Sequence, residues 1–371
     1  MNKTITTYME TKGYDTKTKI IKNYFDTVHF NHPEWVPCRL SILPATWLQH
    51  REKVEEIVLS HPKLFPDYKK GQKNFNEMTD GLFKEGIITD NWGCTWKNVK
   101  DGMIGYCIKS PLENWNDFET YRPPDPLTQS DYHSQPDWTE LKKSFEKIKT
   151  EKGLAQGGLP HGFMYMRVCY YLRGFENFMM DIAHDEPRLK HLLEMVLEYN
   201  LAVIHQYLEC GVELMIFGDD LGIQASLPMS PTQWRKYLKP CYSKLFGICQ
   251  DRGVDVYFHS DGHILEIMDD LIETGISIIN PQIRANTLDG IEKIMKGKIC
   301  IELDLDRQLF PFATPGEIRH HILESFNRLY SKEGGLTLLA EISPDVPLEN
   351  VNTICDVFEE IGGPGIWNKI I

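Results

Sequence analysis

His259 and Asp261 stand two residues apart, after the run Val254-Asp255-Val256-Tyr257-Phe258. In extended chain, side chains i and i+2 share a face, so this imidazole and this carboxylate point the same way. Such a pair can hold a divalent cation or move a proton. Two plainer roles compete: Asp261 as the cap of the next helix, and His259 as a hydrogen-bonded core residue. Acids recur at the ends of other predicted strands: Asp90, Asp219 and Asp220, Glu302 and Asp304, and Glu341. The Asp219 and Asp220 pair has the same alternative as a loop or helix cap. Glu341 follows Leu338-Leu339-Ala340, and an acid next to so apolar a run needs a partner. Carboxylates gathered at one mouth repel each other, and a bound cation relieves that repulsion. Trp92, Trp96 and Tyr165 lie near the same ends and are candidates to wall an apolar pocket. Met164 and Met166 read as core.

Placing these residues together requires a frame that brings strand ends to one side. Predicted strands fall near positions 36, 87, 161, 212, 254, 276, 299 and 336, and the last six alternate with helices. Strand–helix alternation implies parallel strands with right-handed crossovers. Eight such units predict a closed (β/α)8 TIM barrel with its site at the C-terminal strand ends. Helices are expected in 1–30, ahead of the first strand. The stretch 97–155 reads as an insertion on a single domain, 1–371, because it has too few apolar residues for a core of its own. An open doubly wound sheet is the alternative, but no G-x-G-x-x-G follows the first strand.

The totals narrow the function. The net charge is −13, which argues against nucleic acid and anionic membrane as partners. No C-x-x-C occurs among the nine cysteines, so reduced thiols and a cytoplasmic setting are expected. Met1 to Asp15 has no apolar signal-peptide segment, and no apolar run is long enough to span a membrane. P-loop, G-x-S-x-G and H-E-x-x-H motifs are missing.

Four segments resemble the uroporphyrinogen decarboxylase superfamily in its cobalamin-dependent methyltransferase branch. They are Asp90-Asn91-Trp92-Gly93-Cys94-Thr95-Trp96, Gly218-Asp219-Asp220-Leu221-Gly222, Phe258-His259-Ser260-Asp261-Gly262 and the run from Glu341-Ile342-Ser343-Pro344 to Leu348-Glu349-Asn350. The resemblance implies a (β/α)8 barrel, in agreement with the strand count. Methyltransferases of this branch hold zinc through a His-x-Cys pair and a distant Cys. The matching positions are His259, Asp261 and Glu341, so the resemblance implies a metal site in which both thiolates have become carboxylates. A His–Asp–Glu set is a harder one and leaves the ion a stronger Lewis acid. That suits an ether or phenolic oxygen, as in aryl methyl ether O-demethylases. The implied reaction moves a methyl group from a small methoxylated, aromatic compound to the Co(I) corrinoid (a cobalamin) of a partner protein. Asp219, Asp220 or Glu302 would add a ligand or a proton, and Trp92, Trp96 and Tyr165 would hold the ring. Asp261-Gly262-His263-Ile264-Leu265-Glu266 begins like a D-x-H-x-x-G corrinoid-binding motif, but Glu266 stands where Gly is needed. Two alternatives remain. One is a decarboxylase of the parent type, although Ile42-Leu43-Pro44-Ala45-Thr46-Trp47 replaces the Arg-rich segment expected there. The other is a barrel that binds a corrinoid or small ligand without catalysis.

Overall fold

Strands and helices alternate through most of the computed structural model, which describes residues 17–75, 79 and 81–366. Eleven strands form among the described residues: β1 Val36–Ile42, β2 Gly86–Thr89, β3 Thr95–Asn98, β4 Tyr106–Lys109, β5 Gln156–Gly158, β6 Leu214–Gly218, β7 Asp255–Ser260, β8 Ile278–Pro281, β9 Cys300–Asp304, β10 Leu336–Ile342 and β11 Gly362–Pro364. The chain packs as two units. One takes the described residues up to 80 together with 101–103 and 278–366; the other takes 81–100 and 104–277.

The first unit holds parallel strands in the order β11-β1-β10-β9-β8. Apolar runs explain them. Leu40, Leu338, Ala340, Ile301, Leu303 and Ile279 are all buried, as expected for strands covered on both faces. The helix Pro315–Leu329 has a well-marked start. Thr314 and Glu317 close a capping box, with Pro315 in the first turn, so two otherwise orphaned N–H donors are satisfied.

The second unit contains parallel β5-β6-β7 and a separate antiparallel sheet, β2-β3-β4. Every residue of β6 is buried. The helix Pro187–Cys210 ends at Gly211, whose φ of 85° is the left-handed C-cap conformation that glycine adopts without strain. Residues 97–155 fall in this unit apart from 101–103.

The α/β class with parallel strands agrees with the expectation, but several element assignments change. The run at 87 is β2 and pairs antiparallel with β3; alternation alone does not reveal strand direction. The predicted strand His161–Val168 is replaced by the shorter β5, followed by a π-helix at Arg167–Leu172. Between β6 and β7 the chain forms two consecutive helices, Pro231–Tyr237 and Lys239–Asp251. Pro240 lacks an N–H and restricts the residue before it, so the helix restarts there. The helix Lys19–Val28 answers part of the expectation for 1–30, and residues 1–16 lie outside the described ones. No helix among the described residues is long and apolar enough to cross a membrane.

Candidate metal centre

The second unit brings three side chains to one point: His161 after β5, Asp220 after β6 and His259 in β7. One donor atom from each lies within 4.8 Å of the other two. Asp220 is the hub. Its Oδ1 lies 3.2 Å from His161 Nε2 and 3.9 Å from His259 Nε2, and accepts the Asp261 backbone N–H at 3.1 Å. Asp261 Oδ1 is 3.1 Å from His259 Nε2. The rings of His161 and His259 are 5.6 Å apart between centroids. All four residues are half-buried. Burial pushes the Asp220 carboxyl up, but the hydrogen bond and charge of His161 outweigh it and hold the group below the usual carboxylate range.

The backbone explains the placement. Parallel pairing sets Gly218 opposite His259, so Asp220 and Asp261 extend from neighbouring strand ends. The Gly162 N–H donates to the Gly218 carbonyl at 2.7 Å, and a β-carbon on Gly218 would stand 2.5 Å from His161 Nδ1. The absence of a side chain at 218 is therefore what lets His161 lie over β6. The two loops then touch at Gly222 and Gly262. A β-carbon on Gly262, where φ is +81°, would collide with the Gly222 carbonyl carbon, so this crossing needs glycine.

Asp219, the neighbour of Asp220, is turned away from the cluster and fully buried. Its carboxylate accepts the backbone N–H groups of Met164, Tyr165 and Met166 at 3.1, 2.5 and 2.8 Å and the Tyr242 hydroxyl at 2.7 Å. These donors open the helical segment that becomes the π-helix, where N–H groups have no partner within the helix. Burial pushes the Asp219 carboxyl up to about 6, against the pull of the Met166, Tyr242 and Tyr165 donors and the charge of His161. Asp219→Ala is expected to orphan all four donors and cost about 3–5 kcal/mol of unfolding free energy. Urea unfolding of the variant beside the parent checks this.

The other candidate residues are placed as follows. Trp92, Trp96 and Tyr165 are buried in the second unit, and none presents a ring to solvent. Trp92 Nε1 donates to Asp131 at 3.0 Å and Trp96 Nε1 to Asp90 at 2.8 Å. Both acids meet the buried Arg167. In the first unit, Glu302 is buried against Arg39 at 2.6 Å. Glu341, half-buried, pairs with Arg307 at 2.7 Å.

His161 is the residue that sequence reasoning misses. In sequence it reads as the first residue of a strand, one among several aromatic and apolar positions. A signal does exist in Gly157-Gly158-Leu159-Pro160-His161, a side-chain-poor run broken by proline, which fits a strand end better than a strand start.

Two imidazoles and a carboxylate in mutual reach fit a borderline divalent ion such as Zn²⁺. That ion takes nitrogen and oxygen donors, and its catalytic sites use three protein ligands with a position left open. Asp261 is a fourth donor at the rim.

Comparison with known proteins agrees with the frame. The family model described as uroporphyrinogen decarboxylase (URO-D) matches residues 87–361. Two curated proteins named uroporphyrinogen decarboxylase, from two strains of Thermus thermophilus, are each 24% identical over 183 residues, 48% of this chain and 51% of theirs. The chain thus spans about half the length of the curated relatives it matches. A solved methyltransferase from Methanosarcina mazei has the same fold at 16% identity, with a TM-score of 0.57 over 93% of this chain and 99% of that one.

Proposed function

The chain belongs to the uroporphyrinogen decarboxylase family, and from that premise we propose that it is a metal-assisted methyltransferase. In this reading it takes a methyl group from a small methoxylated, aromatic compound and passes it to the Co(I) corrinoid of a partner protein. The observation that carries the reading is the His161–Asp220–His259 cluster at the strand ends. His259 keeps the ligand role drawn from the sequence, His161 and Asp220 join it as donors, and Asp261 stands beside His259. Glu341, already engaged by Arg307, is not needed in this set.

When bound, the ion supplies a Lewis acid for the leaving oxygen. The protein's own work is positional. Asp220 sits between the two imidazoles and holds their Nε2 atoms toward one point. Asp261, 3.1 Å from His259 Nε2, would fix that ring and share a proton with the departing oxygen. The nucleophile of this reaction belongs to the partner's corrinoid, so no Ser or Cys nucleophile is required of this chain.

The parent decarboxylation reaction is less well supported. Porphyrinogen carboxylates call for cationic side chains, yet Arg39 in β1 is buried against Glu302 and Arg167 is buried between two acids.

The test is a panel of methoxylated aromatics incubated with the protein and Co(I) cobalamin, following methylcobalamin formation. Methyl transfer that stops after chelation and returns with Zn²⁺ is the expected result. Decarboxylation of a porphyrinogen substrate, without methyl transfer, would overturn the proposal.

A further inference from the structure

Of the nine cysteines, all free, Cys107 is half-buried and the other eight are buried. Cys107 lies in β4 opposite Trp96 of β3. Cys94 lies just before β3, two residues ahead of Trp96. The two thiols converge on one acceptor. Each donates toward the Tyr171 carbonyl, Cys94 at 3.3 Å and Cys107 at 4.0 Å. The backbone around them is held in place: the Cys94 N–H donates to Asp90 at 2.8 Å.

We propose that Cys94 and Cys107 form a thiol–disulfide modification site, with Cys107 the entry thiol and Cys94 the resolving one. The co-reactant is a low-molecular-weight disulfide of the glutathione type. The Cys107 thiolate attacks one sulfur of that disulfide. Its S–S bond breaks, one half leaves as a thiolate, and a mixed disulfide remains on Cys107. Cys94 then gives up its proton and attacks the Cys107 sulfur, releasing the second half as a thiol. Two protein thiols are oxidised and one small disulfide is reduced to two thiols.

The surroundings favour this order. Attack needs access and thiolate character. Cys107 has the access. The neighbouring Cys94 thiol holds the Cys107 thiol below its ordinary range despite burial, while the same neighbour and burial push Cys94 far up. The product removes both S–H donors from the Tyr171 carbonyl, which lies in the π-helix Arg167–Leu172. Oxidation therefore acts on the helix that carries Arg167. It does not touch the metal-centre residues and is independent of the proposed reaction.

The experiment treats the full chain with oxidised glutathione, blocks the remaining thiols, and maps peptides under non-reducing conditions. A peptide pair cross-linked through Cys94 and Cys107 is expected. In Cys94→Ser, a glutathione adduct should accumulate on Cys107. Cys107→Ser should abolish both products. A stable glutathione adduct on Cys107 in the parent chain without the cross-link would overturn the proposal, and so would modification at another cysteine in preference to Cys107.

Discussion

His161→Ala is expected to empty the metal centre while the chain stays folded. His161 is half-buried, in a turn after β5, and its imidazole supplies one of three convergent donors. Metal binding is the sum of those donors, and losing an inner ligand costs more than the ~10–100-fold typical of losing an outer partner. Zinc retained after dialysis should fall from near one equivalent to under about a tenth. Methyl transfer should drop by roughly a thousandfold or more, as expected when several kcal/mol of charge stabilisation is lost. Unfolding by urea should change little, because His161 is not part of the buried core. Glu341→Gln is the control. It breaks a half-buried pair with Arg307 and should leave zinc content unchanged. If Glu341→Gln loses the metal and His161→Ala keeps it, the ligand set drawn from sequence is right and the His161 cluster is not the centre.

That contrast separates the residues the sequence makes legible from those it hides. His259, Asp261 and Asp220 follow from period-two runs ending in polar residues, because a buried strand announces itself by its apolar length. β6 and β7 are such strands. β5 is Gln156-Gly157-Gly158 and β11 is Gly362-Gly363-Pro364, and neither carries the side chains that mark a strand. Their ladders rest on backbone hydrogen bonds set by neighbouring strands, which no local pattern encodes. With β5 unmarked, the apolar run 161–168 takes its place as the predicted strand, and His161 is hidden at its start. The two acids of Gly218-Asp219-Asp220 look alike in sequence. Their roles diverge because one carboxylate meets four donors in the core and the other meets two imidazoles at the rim.

Arg167→Met is expected to give a large loss of stability. The guanidinium is buried, pairs with Asp131 and stands 3.7 Å from Asp90. It also lies 5.0 Å from the centre of the Trp92 ring and 5.2 Å from that of Tyr171. Methionine fills much of the volume but leaves two buried acids without their cation. Removing one partner of such a group costs about 3–5 kcal/mol, far more than the group contributes over an apolar replacement. The loss should depend on pH. Burial holds the Asp90 carboxyl above its ordinary range, with Arg167 pulling it down. Without Arg167 it rises further. A carboxyl raised in the folded state is stabilising when protonated, and that stability is lost as pH rises through its folded value. The deficit of Arg167→Met should therefore be smaller near pH 5 than near pH 8. Adding Asp90→Asn should recover part of it at pH 8, because the orphaned charge is gone and the amide oxygen still accepts one of the two donors, Trp96 Nε1 or the Cys94 N–H, that bond separate oxygens of Asp90. Urea unfolding of the four chains of this cycle at both pH values measures the coupling directly. Should Arg167→Met unfold like the parent but raise KM for an anionic substrate, Arg167 would be a ligand-binding residue, and the burial-based account of this cluster would fail.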